Sequence, residues 1–387
     1  MTLSLDKSAW KRVTFGDVVR NVNETVRDLD ASGVDRIIAM EHMDPGELKI
    51  GRWGSTEDGT TFTRRVKPGQ TLFGKRRAYQ RKVAYAEFDA ICSGDIYTFE
   101  ADDTQMLGEF LPFLVQSNEF FDHALGTSAG SLSPRTNWRD LANFEFDLPP
   151  LDEQKRIADL LWAIERERRS IGLVLDQVDS TRRFVRDDAF ASLDVVPTRF
   201  ASICTIPSQN GVALKKAERA GEVPMVNMGE MFRGEVISTG SDYERVVSPG
   251  DNFLLAKGDL LFARRSIVFE GAGACCLVPD LDEPFTFESS VIRVRLAHEV
   301  DPSYVLHFFR SRRGRDLMAS IVRRGPVSGI AGSDLRTLEL PVPDLATQKR
   351  IVERIELAGS AESGLHERMA AARALQRTVS SDVFGGN

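Results

Sequence analysis

From Ile157 onward, apolar residues return every seven positions as Ile157, Ile164, Ile171, Val178 and Val185, with Leu160, Leu161, Val174 and Leu175 widening the stripe. A return of seven sustained this long is the mark of a helix whose seam faces a partner helix. Pro149 and Pro150 suit a helix entrance and not its interior, and Asp152 stands where a cap would. The pattern predicts a helix over 152–189. A second run carries Ile351, Ala358, Leu365, Ala372 and Val379 at the same spacing and predicts a helix over 346–383. Large seam residues in the first set against smaller ones in the second suit an antiparallel pair, because their volumes must sum to native packing density. Each helix, about 38 residues, would be roughly 57 Å long.

Elsewhere the period changes to two. "RRVKPGQTLFG", "KVAYAEFDAICSGDIYTFE" and "FTFESSVIRVRL" alternate apolar and polar residues and are punctuated by Gly or Pro, so they read as strands and turns. The stretches 107–125 and 301–321 read as matching helices. The expected fold class is α+β, with two globular domains separated by two long antiparallel helices. The expected boundaries are 1–147 for the first head, 148–190 for the first helix, 191–340 for the second head and 341–387 for the second helix. Heads of that size can each bury a core of their own.

The chain also repeats itself. Leu151, Gln154, Arg156 and Ile157 recur as Leu345, Gln348, Arg350 and Ile351, 194 positions later. At the same offset Leu111 and Ser117 meet Val305 and Ser311, and Asp140-Leu141 meet Asp334-Leu335. Nearer the N-terminus the offset slides, as unequal loops require: "KPGQTLFGKRR" (67–77) matches "AKGDLLFARRS" (256–266), and "IIAMEHMDPGEL" (37–48) matches "MVNMGEMFRGEV" (225–236). "VTFGDVV" (13–19) pairs weakly with "TRFASIC" (198–204). Each match is thin, but their order is collinear, so the chain reads as head, helix, head, helix: a duplication of pseudo-twofold design.

Charge changes this picture locally. The net charge is −7, yet basic residues cluster at equivalent places in the two heads. In the first they are Arg64, Arg65 and Lys67, then Lys75, Arg76, Arg77, Arg81 and Lys82 with Tyr79 among them, then Arg135, Asn137 and Arg139. In the second they are Arg264 and Arg265, then Arg310, Arg312, Arg313, Arg315, Arg323 and Arg324. Cationic clusters on an acidic chain suit a surface that tracks phosphates, and Arg, Lys, Asn and Gln are the side chains that read base edges. Any one of them could equally be a solvated surface charge. The clusters following the matched Leu-Phe strands, after Phe73 and Phe262, are the stronger candidates.

Other chemistry is not visible. There is no phosphate-cradling GxxxxGK[ST] loop, "GAGAC" lacks the third glycine of a dinucleotide site, and the one Pro-Pro is followed by Leu. That last point departs from the Asn/Asp-Pro-Pro-aromatic stretch with which adenine methyltransferases hold a flipped base. Asp44, Glu47 and Lys49 imitate a nuclease set, but the second copy lacks the Asp and the Lys, so a glycine turn is the better reading. His42, His123, His298, His307 and His366 are scattered, and Cys92, Cys204, Cys275 and Cys276 form no CxxC pair, so no metal site is expected. No apolar run approaches the ~18 residues of a membrane span and "MTLSLDKSAWKRV" has no signal-peptide core, so a cytoplasmic, non-catalytic protein is expected.

"LPPLDEQKRIADLL" resembles the central segment of the specificity (S) subunits of type I restriction-modification systems. The likeness extends to the "SAWKRVTFGDVV" opening, to "GQTLFGKRR" and to the second helix entrance "LPVPDLATQKRI", and so covers the chain in the expected order. The second copy departs at Thr347, where the first has Glu153. The resemblance implies that each head is a target-recognition domain reading one half of a bipartite, asymmetric sequence in double-stranded DNA. It implies that the helices set the length of the unread spacer and dock two methyltransferase (M) subunits, which bind S-adenosylmethionine and modify adenine; this chain would hold no cofactor. A restriction (R) subunit could join the same complex. Leu151, Glu153, Gln154, Arg156 and Ile157, with Leu345, Gln348, Arg350 and Ile351, would either hold the helix–head junction or dock a partner subunit. Three alternatives stay open: a methylation-only recognition subunit, a chain with its own methyltransferase site, and a scaffold that binds no DNA.

Overall fold

The seven-residue seam is realised as one uninterrupted 41-residue helix, Leu151–Ala191. The second run is not one helix. In the computed structural model, which describes residues 5–128, 134–191, 193–213, 223–240 and 243–385, it forms Leu345–Gly359 and Glu362–Phe384 with a turn between. The first piece ends on Gly359, where a β-carbon would stand 2.8 Å from the Arg182 side chain. Arg182 occupies that space, and the last turn closes when the Ser360 hydroxyl donates to the Leu357 carbonyl at 2.9 Å. The stripe is also narrower than expected: Ile157, Leu161, Ile164 and Ile171 are buried, whereas Leu160 and Val174 are 37% and 45% exposed.

The chain divides into two compact units. One comprises Met1–Leu173 with Leu365–Asn387, the other Val174–Gly364. Within the first, Val19–Val22, Ile96–Ala101, Thr71–Gly74 and Val83–Tyr85 form an antiparallel sheet in that order. A second sheet orders Gly54–Ser55, Arg36–Ile38, Ala90–Cys92 and Arg64–Val66, with the middle two strands parallel. The other unit repeats the first sheet in full and three strands of the second. Its first sheet orders Cys204–Asn210, Val291–Leu296, Leu260–Ala263 and Cys275–Leu277, and its second orders Arg245–Val246, Val223–Val226 and Thr286–Phe287, again with one parallel pair. Each head opens and closes on one ribbon, Lys11–Thr14 with Glu145–Leu148 and Pro197–Arg199 with Glu339–Pro341.

Details of the thin sequence matches recur in three dimensions. Phe15 and Phe200 are fully buried, and their amides donate to the carbonyls of Phe144 and Leu338 at 2.7 and 2.8 Å. Gly69 and Gly258 both take left-handed φ, 88° and 84°, in the turn before the Leu-Phe strand. Across that turn Gln70 accepts from the Lys67 amide and Asp259 from the Ala256 amide, each at 2.9 Å. The two stretches expected as single helices each break in two, Leu111–Gln116/Asn118–Gly126 and Pro302–Arg310/Arg312–Ala319. Ser117 and Ser311 sit at the breaks and cap the second helix of each pair through their side chains.

Each head shares one core with its stretch of long helix. In the first unit Phe15, Phe73, Phe99 and Phe120 cluster with Ile157, Leu161, Ile164, Val379 and Val383. In the second, Phe190 and Ile355 join Phe200, Phe262, Tyr304 and Phe308. Burying each such side chain contributes about 1.5–3 kcal/mol, so head and helix stand or fall together in each unit. Arg168 donates to Gln376, and a β-carbon at Gly172 would lie 3.9 Å from Met369, so in the first unit the two helical segments run antiparallel. Asp188 pairs with Arg354 and Arg182 with Glu362, so the same holds in the second.

Candidate nucleic-acid interface

In the second unit the buried strand Leu260–Ala263 delivers Arg264 and Arg265 to the surface. Arg265–Ser266 then pair antiparallel with Ser328–Gly329. That pairing brings in residues almost sixty positions away: Arg264, Arg265, Arg323 and Arg324 line one cavity of about 480 Å³ together with Val327, Gly329, Ile330 and Ala331. Glycine is needed at 329, because a β-carbon there would approach the Arg264 carbonyl to 2.9 Å. Arg323 pairs with Asp334 at 2.6 Å, Arg324 lies 4.3 Å over the Phe269 ring, and Arg264 donates to the Ser289 carbonyl at 3.3 Å. Among the described residues no carboxylate comes within ion-pair distance of Arg264, Arg265 or Arg324. A concave surface with so little compensating charge concentrates anions, and guanidinium forks suit phosphates and guanine edges.

The first unit builds the corresponding place by the same backbone device. Arg76 bridges to Arg135, the Thr136 amide donates to the Lys75 carbonyl at 3.0 Å, and the Arg77 amide donates to that of Pro134 at 2.8 Å. Here an acid is present: Asp95 pairs with Arg76 at 3.3 Å and with Arg135 at 3.0 Å. Lys75 sits 4.7 Å over the Tyr97 ring, and burial, then the neighbouring Arg64, pushes its ammonium below the usual lysine range. Arg77 and Arg81 both adopt left-handed φ, 56° and 52°, at the two ends of the turn Ala78–Gln80. Such residues cost about 1–2 kcal/mol each, and between them Tyr79 has 54% of its surface exposed. Arg81 is braced against Asn118 at 2.7 Å and the Phe121 ring at 4.4 Å.

Not every predicted basic residue joins these two places. Arg64 donates to Asn23 at 2.9 Å and to the Ile96 carbonyl, and Arg65 and Lys67 pair with Asp89 and Glu24. Lys82 reaches back to the Met40 carbonyl at 2.6 Å. Asn137 opens the short helix Trp138–Ala142, on which Arg139 is exposed. Arg313 donates to the carbonyls of Phe190 and Leu193 at 3.1 and 3.0 Å, closing the C-terminal end of the long helix. The Arg312 amide donates to Asp187. Neither of these two residues lines the arginine cavity.

At the helix entrances the glutamines are wholly engaged. Gln154 is fully buried; its amide nitrogen donates to the Gln105 and Pro149 carbonyls at 2.9 and 2.8 Å, and its oxygen accepts from the Leu107 amide at 2.9 Å. Gln348 repeats this with Pro343 and the Asp301 amide, both at 2.8 Å. Glu153 accepts from the Trp10 indole at 2.8 Å, whereas Thr347 is bonded to Asp344. Asp344 caps the second entrance and is held below the usual carboxylate range by the Thr347 bonds. The matching position of the first helix is Pro150, so Asp152 lies inside the first turn and is not its cap. Ile157 is buried and Ile351 half-buried; Leu151, Arg156, Leu345 and Arg350 face solvent, the last bonded to Thr347 at 2.9 Å.

A further set was not foreseen. Arg168 is buried and bonds Glu165, Gln376 and Glu47 at 2.8, 2.8 and 3.0 Å. Glu47 belongs to the segment read only as a glycine turn; the turn exists, with Gly46 at φ 81°, and it aims this carboxylate at the helix. Its repeat partner Glu235 takes Arg182, Arg186 and Arg310 at 2.9, 2.5 and 3.7 Å. Burial raises the Glu235 carboxyl, but the three guanidiniums outweigh it and hold it below the ordinary range. The signal was present: Arg168, Arg182, Glu362 and Gln376 occupy seam positions, where a polar residue demands a partner. Asp44 and Lys49 do not converge, pairing instead with Arg52 and Glu87. Among the described residues no three His, Cys, Asp or Glu side chains are placed to hold a metal, and no helix is long and apolar enough to cross a membrane.

A family model described as the type I restriction modification DNA specificity domain matches residues 8–171 and again 194–367. The chain is 26% identical over 285 residues to the type I restriction enzyme EcoKI specificity subunit of Escherichia coli K12, covering 66% of this chain and 61% of that one. It is 28% identical over 222 residues to the EcoDI specificity subunit of Escherichia coli, covering 54% and 49%. The chain thus spans about half to three-fifths of these relatives. The crystal structure of the type I restriction-modification S subunit from M. genitalium superposes over 100% of both chains with a TM-score of 0.64 at 12% identity, a likeness of fold.

Proposed function

The chain belongs to the family of type I restriction-modification DNA specificity domains, and from that premise we propose that it is the DNA-reading subunit of such a system. Each unit reads one half of a bipartite, asymmetric duplex sequence. The observation that carries this reading is the duplicated loop after the Leu-Phe strand, which places Lys75, Arg76 and Arg135 together in one unit and Arg264, Arg265, Arg323 and Arg324 in the other. Phosphate contacts from such residues position the duplex, and a few side chains between them read bases. In this reading the long helices set the unread spacer and dock two methyltransferase subunits. Those subunits bind S-adenosylmethionine and methylate adenine in the cytoplasm. A restriction subunit adds cleavage where the system has one. Buried Gln154 and Gln348 hold the head–helix junctions, which leaves the exposed Leu151, Arg156, Leu345 and Arg350 for partner subunits.

The test is a head exchange. Replacing residues 191–340 by the corresponding head of another family member, co-expressed with methyltransferase subunits, should change one half of the methylated sequence and leave the other intact. A methylated sequence that does not change, or changes in both halves, contradicts the assignment of one half-site to each unit.

A further inference from the structure

Beside the arginine cavity of the second unit stands an apolar tip. Ile267 is 86% exposed, Val268 62% and Val327 53%. Single exposed apolar residues are common and mean little; placement is what distinguishes these three. The ladder pairs Arg265 with Gly329 and Ser266 with Ser328, so one further step in register sets Ile267 opposite Val327. The tip is rigid. The Ser266 hydroxyl accepts from the Val268 amide at 3.1 Å, the Gly271 amide donates to the Val268 carbonyl at 3.1 Å, and Arg324 stacked on Phe269 ties the two loops together. β-Branched side chains have few rotamers to lose, so contact there costs little order. At the same distance past its own Leu-Phe strand, 189 residues earlier than Val268, the first unit exposes Tyr79. Tyr79 lies inside the turn Ala78–Gln80 and Val268 just ahead of the turn Phe269–Gly271, so the two copies present different exposed side chains on the loop after the Leu-Phe strand, flanked in both by cations.

We propose that Ile267, Val268 and Val327 read thymine C5-methyl groups in the major groove, while the arginines behind them hold the adjoining phosphates and base edges. The inference rests on the DNA-recognition reading and deepens it. The thymine methyl is the apolar feature a base pair shows a protein, and it is presented only in the major groove. An apolar tip between guanidiniums matches a thymine flanked by phosphates, and the change from Tyr79 to Val268 is the kind that lets two heads read two different half-sites.

Uracil lacks only that methyl, which makes it the probe. The full chain, in complex with methyltransferase subunits, is titrated with duplexes in which each thymine of the recognised sequence is replaced in turn by uracil. At one or more positions of one half-site, wild type should lose about 4-fold in affinity, about 0.8 kcal/mol for one buried methyl. The variant Ile267→Ala/Val268→Ala/Val327→Ala should bind thymine and uracil DNA alike at those positions, with an unchanged salt dependence, because no charge is removed. The idea is overturned by a wild-type complex indifferent to uracil everywhere, by a half-site without thymine, or by a variant that keeps the 4-fold ratio. It is equally overturned if the variant loses both DNAs to the same extent. Absence of any sequence-specific binding by wild type would instead remove the DNA-recognition reading, and this inference with it. The wild-type ratio is informative even where a variant does not fold.

Discussion

Gln154 and Gln348 make the same bonds in the two copies, and the chemistry explains why the sequence repeats them. Each carries donor and acceptor on one short side chain and so closes a head onto a helix through backbone groups alone. Truncation leaves those buried groups unpaired, at about 1–3 kcal/mol apiece. Gln154 serves three such groups, so Gln154→Ala should lower the urea stability of its unit by at least about 3 kcal/mol, and exposed Arg156→Ala by less than about 0.5 kcal/mol; equal losses would deny the junction role. Glu235 offers a pH test. Its folded carboxyl lies below the ordinary value of 4.5, so the stability it adds is complete above that pH and is lost as pH falls through the lowered value. Glu235→Gln should flatten the acid limb of the stability profile while also destabilising the protein at neutral pH, since three guanidiniums lose their anion. The repeated glutamines were legible in the sequence; their partners were not, because backbone carbonyls leave no sequence signature.

The helices show what periodicity conveys and where it stops. Returns of seven located both runs, because a seam must keep facing its partner. The break after Gly359 was not legible in the heptads, which run on across it; the close approach of Arg182 to the glycine is a contact 177 residues distant in sequence. Polar seam residues carry the register: Arg168 meets Gln376 in one unit and Arg182 meets Glu362 in the other. On the proposed ruler role, deleting seven residues from each helix keeps the seam in phase and removes about 10.5 Å, about three base pairs of duplex at 3.4 Å each. The methylated half-sites should persist with a spacer about three base pairs shorter; an unchanged spacer would end the ruler idea.

For the whole molecule, the collinear order of weak matches revealed the duplication before any strand was placed, because insertions between heads change offsets but not order. The first sheet of the first head recurs whole in the second, and the second sheet recurs in three of its four strands, with the parallel pair conserved in sense. The convergence of Arg264 and Arg265 with Arg323 and Arg324 was less legible: the sequence marked both clusters, but only the Arg265–Ser266 ladder shows that they meet. Conversely, Arg65, Lys67 and Arg313 looked like the others in sequence and are bound into internal contacts. In the proposed interface, replacing Lys75, Arg76 and Arg77 with Ala should weaken DNA binding and reduce the salt slope by up to about three; wild-type binding at every salt concentration would exclude that loop. Whether each copy reads its own half-site is tested by single-molecule mapping of modified adenines in cells expressing the chain with methyltransferase subunits. A two-part asymmetric sequence with a fixed unread spacer and one methylated adenine on each strand is expected; a single continuous sequence, or none, would contradict the assignment.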